Sequence, residues 1–415
     1  MVKRFIFIFV ATTLLALSSG VDVKGEVDQK LKLLNKPAVK SITSEDGDII
    51  DCVDIYKQPA FDHPALRNHT IQMRPSFAFP DESSTTKKES SGSPAPSQTW
   101  QNSGSCPDGT VPIRRVRRQE LLSAASLEHF GRDGPPTSSA AVNTTTSDHF
   151  VYHNGSKIAI FPVADHSTAF LVATGYTFLG AKGDINIWSP RVESSDEYTT
   201  AQIWLKNGLG DIETIEAGWM VNPKIFGDAK PRLFGRWTLD AYQTTGCINL
   251  ICSGFVQTSK KIVLGGAVQP LSQKWGEQFQ ISISISHDPV SGNWWLAFGD
   301  ETVGYFPGSI LNYMKQSATK VQWGGDVYSK KVKQSSPPHT ATAMGSGDFA
   351  NSLWGVASFI KNLRIIDGYI LLRYPQWVSN FSEEPYCYTA YNYKKTPAAE
   401  PIFYFGGPGR NPNCP

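Results

Sequence analysis

Apolar and polar residues alternate with a period of two through much of the second half of the chain. In QFQISISIS, residues 278–286, Phe279, Ile281, Ile283 and Ile285 fall on one side, and Gln280, Ser282, Ser284 and Ser286 on the other. That period, carried by β-branched residues, predicts a half-buried strand. Similar alternation runs through GAKGDINIW (180–188), AQIWLKNG (201–208) and NWWLAFG (293–299). From about Phe150 onward, short strands of this kind are separated by Gly, Pro, Asn and Asp, with few helical stretches. This texture predicts an all-β domain built as an antiparallel sandwich or barrel. No internal repeat at a fixed period is present.

The first half reads differently. Lys3 and Arg4 precede an apolar run from Phe5 to Leu17, followed by Ser18, Ser19 and Gly20. A basic, apolar, small-residue order too short to span a bilayer predicts a signal peptide, here placed over residues 1–25. The alternative for this run is a buried N-terminal helix. VDQKLKLLNK (27–36) has helical character, and residues 81–105, rich in Ser, Thr, Pro and Gly, read as a mobile linker or exposed loop. CPDGTVPIRRVRRQELLSAASLEHFGR (106–132) predicts a turn, a short strand and a helix from Gln119 to His129, before a second polar stretch over 133–147. The expected division is therefore a leader at 1–25, an intermediate region at 26–147 and the β-domain at 148–415.

Charge adds little to this picture: +2 over 415 residues suggests neither a nucleic-acid footprint nor a polybasic membrane anchor. No stretch after the leader approaches the length of a membrane helix, so the expected product is soluble and secreted (apoplastic), or vacuolar. The six cysteines, Cys52, Cys106, Cys247, Cys252, Cys387 and Cys414, suit an oxidising compartment. Cys247 with Cys252 and Cys387 with Cys414 is the favoured pairing, and the other pairings of those four stay open. Sequons at Asn68, Asn143, Asn154 and Asn380 offer glycosylation sites.

Several chemistries lack their signatures. There is no HExxH, no G-x-S-x-G, no P-loop and no G-x-G-x-x-G opening a helix. The eight His show no metal-ligand spacing, and no metal or other cofactor is expected. A Ser-His-Asp triad stays open, since its members need not be sequence neighbours, but no local context supports one. Carboxylates remain. Glu216 lies in IEAGWMVNP and Asp326 in VQWGGDVYS, each beside glycine and tryptophan. Glycine allows close approach and Trp excludes water, a setting that raises a carboxyl pKa by desolvation. Two facing carboxyls would share one proton at mildly acidic pH, one activating water while the other polarises the scissile carbonyl. The competing reading of each acid is a solvated or turn-capping group at a strand end.

The motifs now converge. DCVDIYKQPAFDHPALRNHTIQMRPSF and CPDGTVPIRR resemble the activation segment of the neprosin family of plant glutamic peptidases. GAKGDINIWSP, TIEAGWMVNPKIFGD, RLFGRWTLDAYQTTGCINLICSGFVQ, GNWWLAFGD, WGGDVYS and the terminal FYFGGPGRNPNCP resemble its catalytic domain, in order along most of the chain. The resemblance implies a glutamic-peptidase-like two-sheet β-sandwich preceded by a small inhibitory pro-region at 26–147. It implies a secreted acid endopeptidase cleaving after proline without a metal. Glu216 matches the family's E-x-G-W glutamate, whereas the W-G-G-E position holds Asp326. The shorter side chain withdraws the carboxylate by about an ångström, a displacement that costs roughly 100-fold in rate, or about 2.7 kcal/mol. The chain also carries MGSGDF where the family usually has M-G-S-G-H-F. Gln202, Trp204, Trp219 and Trp323 are the candidate cleft-lining residues, on the reasoning that a proline ring packs on aromatic faces; ordinary core packing is the alternative for the tryptophans. Arg114, Arg115, Arg117 and Arg118 form either a processing site or a charge group within a folded pro-domain. The expected partners are a proline-containing peptide and the chain's own pro-region; the alternative to an enzyme is a catalytically impaired peptide- or wall-binding protein, with a lectin-like carbohydrate binder third.

Overall fold

The computed structural model describes residues 23–77, 96–124, 126–128, 130–131, 149–153, 156–160, 163–210, 212–334 and 336–415, without side chains at 149–160. Nearly all of the expected leader, the polar stretch 133–147, Asn143 and Asn154 lie outside the described residues. Two antiparallel sheets make the main body. One has seven strands and is built around β1 (His166–Ala173), β2 (Tyr198–Asn207), β3 (Glu213–Val221), β4 (Arg232–Thr238) and β5 (Lys320–Tyr328), in the spatial order β4-β3-β2-β5-β1. Cys247–Ile248 and Val378–Ser382 flank it at the two edges. The second sheet has nine strands, with Phe178–Asn186 and Gln280–His287 near its centre.

The period-two pattern gives the packing directly. Phe279, Ile281, Ile283 and Ile285 are buried in the core, with the intervening serines less so, as alternation along a pleated strand requires. From the facing sheet, Ala201, Ile203 and Leu205 of β2, Ile215, Ala217 and Trp219 of β3, and Val321, Trp323 and Val327 of β5 enter the same core. Gly183 makes room for this packing: a Cβ there would lie 2.8 Å from Ile360 and 3.3 Å from the Trp323 ring. The sheet face opposite this core carries the remaining residues of β1 to β5.

The N-terminal region folds as a small module on that body. Helix α1 (Val23–Leu34) overlaps the last residues of the expected leader and presents Val27, Leu31 and Leu34 on one side, the spacing of a single apolar stripe. A three-stranded sheet of Ala38–Thr43, Ile49–Asp54 and Thr110–Arg114 follows, closed by the Cys52–Cys106 disulfide. Cys247–Cys252 and Cys387–Cys414 are also formed, and no cysteine is free. Among the described residues no helix is long and apolar enough to cross a membrane. Asn68 and Asn380 are both exposed.

Two expectations for this module need correction. The stretch 81–105 is not a linker over its last ten residues: Ser97–Gln98 pairs with Val268–Gln269, and a 3-10 turn spans Thr99–Ser103. Trp100 is buried, and Gln98 donates to the Val263 carbonyl at 2.7 Å, so one ring and one amide anchor a sequence otherwise lacking core residues. The helix expected from Gln119 to His129 spans only Arg118–Leu122. Ser123 ends it by bonding back to the Gln119 carbonyl, and the chain then turns to bury Phe130.

The arginine cluster belongs to a folded charge network. Arg114 is buried between Asp48 and Glu120, Arg115 pairs with Asp51, Arg117 with Asp48 and Arg118 with Asp28. Asp48 also meets Arg232 of β4, which in turn holds Asp228 at 2.6 Å. Carboxylates thus stitch the N-terminal module to the sandwich. Asp288 is another, accepting from the Gln72 amide at 2.8 Å and the Ser76 N–H at 2.7 Å.

These contacts carry a sign with pH. Burial works against the charged form of Asp288, but bonds from Ser76, Gln72 and Val290 outweigh it and bring its pKa to about 2. Asp48 is likewise lowered, burial being overcome by Arg114 and Arg232. A depressed carboxyl stabilises the docked state above its unfolded pKa near 4, and the contribution disappears as pH falls through the folded value. After a cut engineered within 133–147, the N-terminal module should co-elute with the sandwich at pH 4–6 and separate as the pH approaches about 2. Size-exclusion chromatography reads this directly; co-elution that persists at pH 2 would show that other contacts decide docking.

Candidate active site

Strand register brings Glu216 and Asp326 to the same sheet face, the one turned away from the sandwich core. Glu216 of β3 lies opposite Trp204 of β2 and Arg236 of β4. Asp326 of β5 lies opposite Thr200 of β2 and Thr168 of β1. Between these two levels runs the row Gly218, Gln202 and Gly324. A Cβ at Gly218 would lie 2.0 Å from the Ala201 carbonyl oxygen, and one at Gly324 would lie 2.1 Å from that of Ala169. Only glycine permits this approach, and it leaves Gln202 as the side chain standing between the two acids.

Both carboxylates are 2 % exposed. The Glu216 oxygens accept from four groups: Arg236 Nε at 2.6 Å, Thr214 Oγ1 at 2.7 Å, Tyr242 Oη at 3.0 Å and the Gln202 amide. His166 Nδ1 lies 2.8 Å from one Asp326 oxygen and 3.1 Å from the other. Arg236 Nη2 lies 3.9 Å from Asp326, so one guanidinium spans the two acids. With about 2.3 Å between Nε and Nη2 of a planar guanidinium, the carboxylates are at most about 9 Å apart. Two atoms of the floor, Gln202 Oε1 and Thr200 Oγ1, have no hydrogen-bond partner among the described residues.

The expected upward pKa shift fails for Asp326. Burial does penalise its charge, but His166, then Arg236 and Lys333, outweigh that effect and leave its pKa below the ordinary aspartate value. The sequence offered no sign of these cations because they come from β1, β4 and the segment after β5.

The proposed lining residues divide by strand parity. Gln202 and Trp204 share the face of Glu216, and Trp204 clusters there with Phe170, Val172 and Phe381. Trp219 and Trp323 do not. Each is fully buried between the sheets, donating its indole N–H to the carbonyls of Asn186 at 2.9 Å and Lys182 at 3.1 Å. They are core residues, because each is three positions from its acid and a strand sends such a pair to opposite faces. Arg236, His166, Thr200 and Tyr242 are the site residues that sequence reasoning missed. The legible hint was Arg236, a charge set among apolar neighbours in LFGRW.

The N-terminal module covers this face. Val27, Leu31, Leu34, Val116, Leu121 and Phe130 form one cluster with Tyr198, Met220, Phe234 and Tyr328 of the seven-stranded sheet. Met220 is in register with Thr200, and Thr200 with Asp326, so the apolar cover begins in the same cross-strand row as the acid.

Comparison with known proteins places these observations. The family profile described as Neprosin matches residues 195–408, and that described as Neprosin activation peptide matches 41–160. Among solved structures, Scytalido-glutamic peptidase with a peptide-based transition state analog is similar at 10% identity, covering 58% of this chain and 97% of that one, with a TM-score of 0.31. SCP-B, a member of the Eqolisin family of peptidases bound to the tripeptide Ala-Ile-His, is similar at 10% identity, 58% and 97% coverage, and a TM-score of 0.27. CG-16, a homodimeric agglutinin from chicken liver, is similar at 10% identity, 39% and 96% coverage, and a TM-score of 0.22.

Proposed function

The chain belongs to the neprosin family, and from that premise we propose that it is a secreted acid endopeptidase, held inactive by its N-terminal module, that cleaves peptide bonds after proline. The observation that carries this reading is the common placement of Glu216 and Asp326 over a floor containing two unpartnered polar atoms. In the proposed mechanism a water rests between the acids, bonded to Gln202 Oε1 and Thr200 Oγ1. One ionised carboxyl removes its proton while the other, protonated, polarises the scissile carbonyl and then protonates the leaving amine. The cluster of Trp204, Phe170, Val172 and Phe381 offers an apolar seat for a proline ring beside Glu216. Disulfides and the leader-like N-terminus support secretion.

The processed protein, given a proline-containing peptide between pH 2 and 6, should cut on the carboxyl side of proline. Asp326→Glu should raise kcat about 100-fold if the missing methylene is what limits the rate. A second reading, a peptide-binding protein with an impaired dyad, is favoured by the guanidinium already occupying the space between the acids. It prevails if wild type binds the peptide without cutting it at any pH and Asp326→Glu cuts.

A further inference from the structure

We propose that Arg236 is a positioning residue that holds Glu216 and Asp326 as a charge-compensated pair, and so delays hydrolysis to a lower pH than the two acids alone would set. The inference rests on the peptidase reading and concerns the same site.

Arg236 is buried and faces both acids, with Nε 2.6 Å from Glu216 and Nη2 3.9 Å from Asp326. Its guanidinium also lies over the Phe234 and Tyr242 rings, 5.7 Å and 5.2 Å from their centroids, and Nη1 lies 3.5 Å from the Tyr198 hydroxyl. The groups facing Glu216 are Arg236 from β4, Gln202 from β2, Thr214 from its own strand and Tyr242 from the loop after β4. Those acting on Asp326 are His166 from β1, Arg236, and Lys333 from the segment after β5. No further acid stands between them in these contacts.

A carboxyl pair shares one proton because two adjacent negative charges repel, so that one acid keeps its proton into the mildly acidic range. A permanent cation between them removes that repulsion. Arg236 is always charged, and its Nε–H points at Glu216 Oε2, which also receives the Gln202 amide; neither donor can accept a proton from a neutral carboxyl in this arrangement. His166 adds a second cation at Asp326 whenever it is protonated. Asp326 is thereby favoured in the ionised state although burial opposes its charge, and in that state it cannot serve as the proton donor. A proton reaching Glu216 is taken at Oε1, where the Thr214 and Tyr242 hydroxyls can turn to accept it, and Oε2 keeps its bond from Arg236 Nε–H.

Arg236→Gln keeps an amide donor toward Glu216 and removes the charge. On processed protein, the alkaline limb of the kcat/KM profile should move up by about one pH unit, with roughly tenfold more activity at pH 5. KM should change little, and Arg236→Lys should retain the wild-type profile. Carbon-13 NMR titration of the Asp326 carboxyl, on variants shown to melt cooperatively, should show its midpoint raised in Arg236→Gln and not in Arg236→Lys. An unmoved Asp326 midpoint would overturn the proposal, as would a uniform loss of activity at every pH with an unchanged profile. If no form cleaves peptide at any pH, the peptidase reading falls, and the carboxyl titration alone decides the role of Arg236.

Discussion

Glu216→Gln is expected to lower kcat/KM of the processed protein about 1,000-fold between pH 3 and 5, within the 10²–10⁴ range of a lost acid–base group. The substitution is isosteric, so the site should keep its shape. Thr214 and Tyr242 can turn their hydroxyls to meet an amide as readily as a carboxylate. What disappears is the ability to take or give a proton. Arg236 loses its anionic partner at 2.6 Å and keeps Asp326 at 3.9 Å. The variant should therefore lose stability, by up to about 3–5 kcal/mol for a broken buried ion pair, and still unfold cooperatively while failing to turn over. A rate within threefold of wild type, measured with the same proline peptide, would remove Glu216 from the mechanism.

Trp323→Ala is expected to destabilise the sandwich by about 3–5 kcal/mol, the usual cost of truncating a fully buried tryptophan. The ring fills the space that Gly183 leaves open and donates its N–H to the Lys182 carbonyl. Removing it opens a cavity and takes away that hydrogen bond, two separate penalties. Trp204→Ala should behave differently. Its ring belongs to a small cluster on the face that carries Glu216, so the expected result is a smaller stability loss and a raised KM for proline peptides. Urea unfolding and steady-state kinetics on the two variants together separate a core residue from a cleft residue. If Trp323→Ala leaves the urea midpoint unchanged and raises KM, the parity assignment of β5 is wrong.

Much of this arrangement was open to reading before any coordinates. The alternation in QFQISISIS specifies a strand and its buried side, and that strand sits near the middle of the nine-stranded sheet. Parity was legible too. Gln202 and Trp204 are two apart and share a face, whereas Glu216 with Trp219, and Trp323 with Asp326, are three apart and cannot. Proposing all three tryptophans for the cleft ignored that count. Other features depend on pairing, which a single chain does not display. Arg236 meets Glu216 only because β3 and β4 are antiparallel in one register; a shift of one residue would turn Arg236 into the core. His166 reaches Asp326 across a pairing of residues 160 positions apart, and no local pattern signals such a contact. The anchored part of 81–105 was missed for the converse reason. Its composition is that of a loop, and one tryptophan among polar neighbours is too slight a signal against it.

The Cys52–Cys106 bond joins residues 54 positions apart, and the Ser- and Thr-rich run from 81 lies inside the ring it closes. A protease that severs the chain anywhere in that ring opens a circle without freeing either piece, since the sulfur bridge still joins both ends. Helix α1, on one side of the cut, would stay fastened to the strand Thr110–Arg114 on the other. Freeing the module from the sandwich therefore demands scission outside that ring, or a reductant, and a nick in the Ser- and Thr-rich stretch alone leaves both pieces tethered.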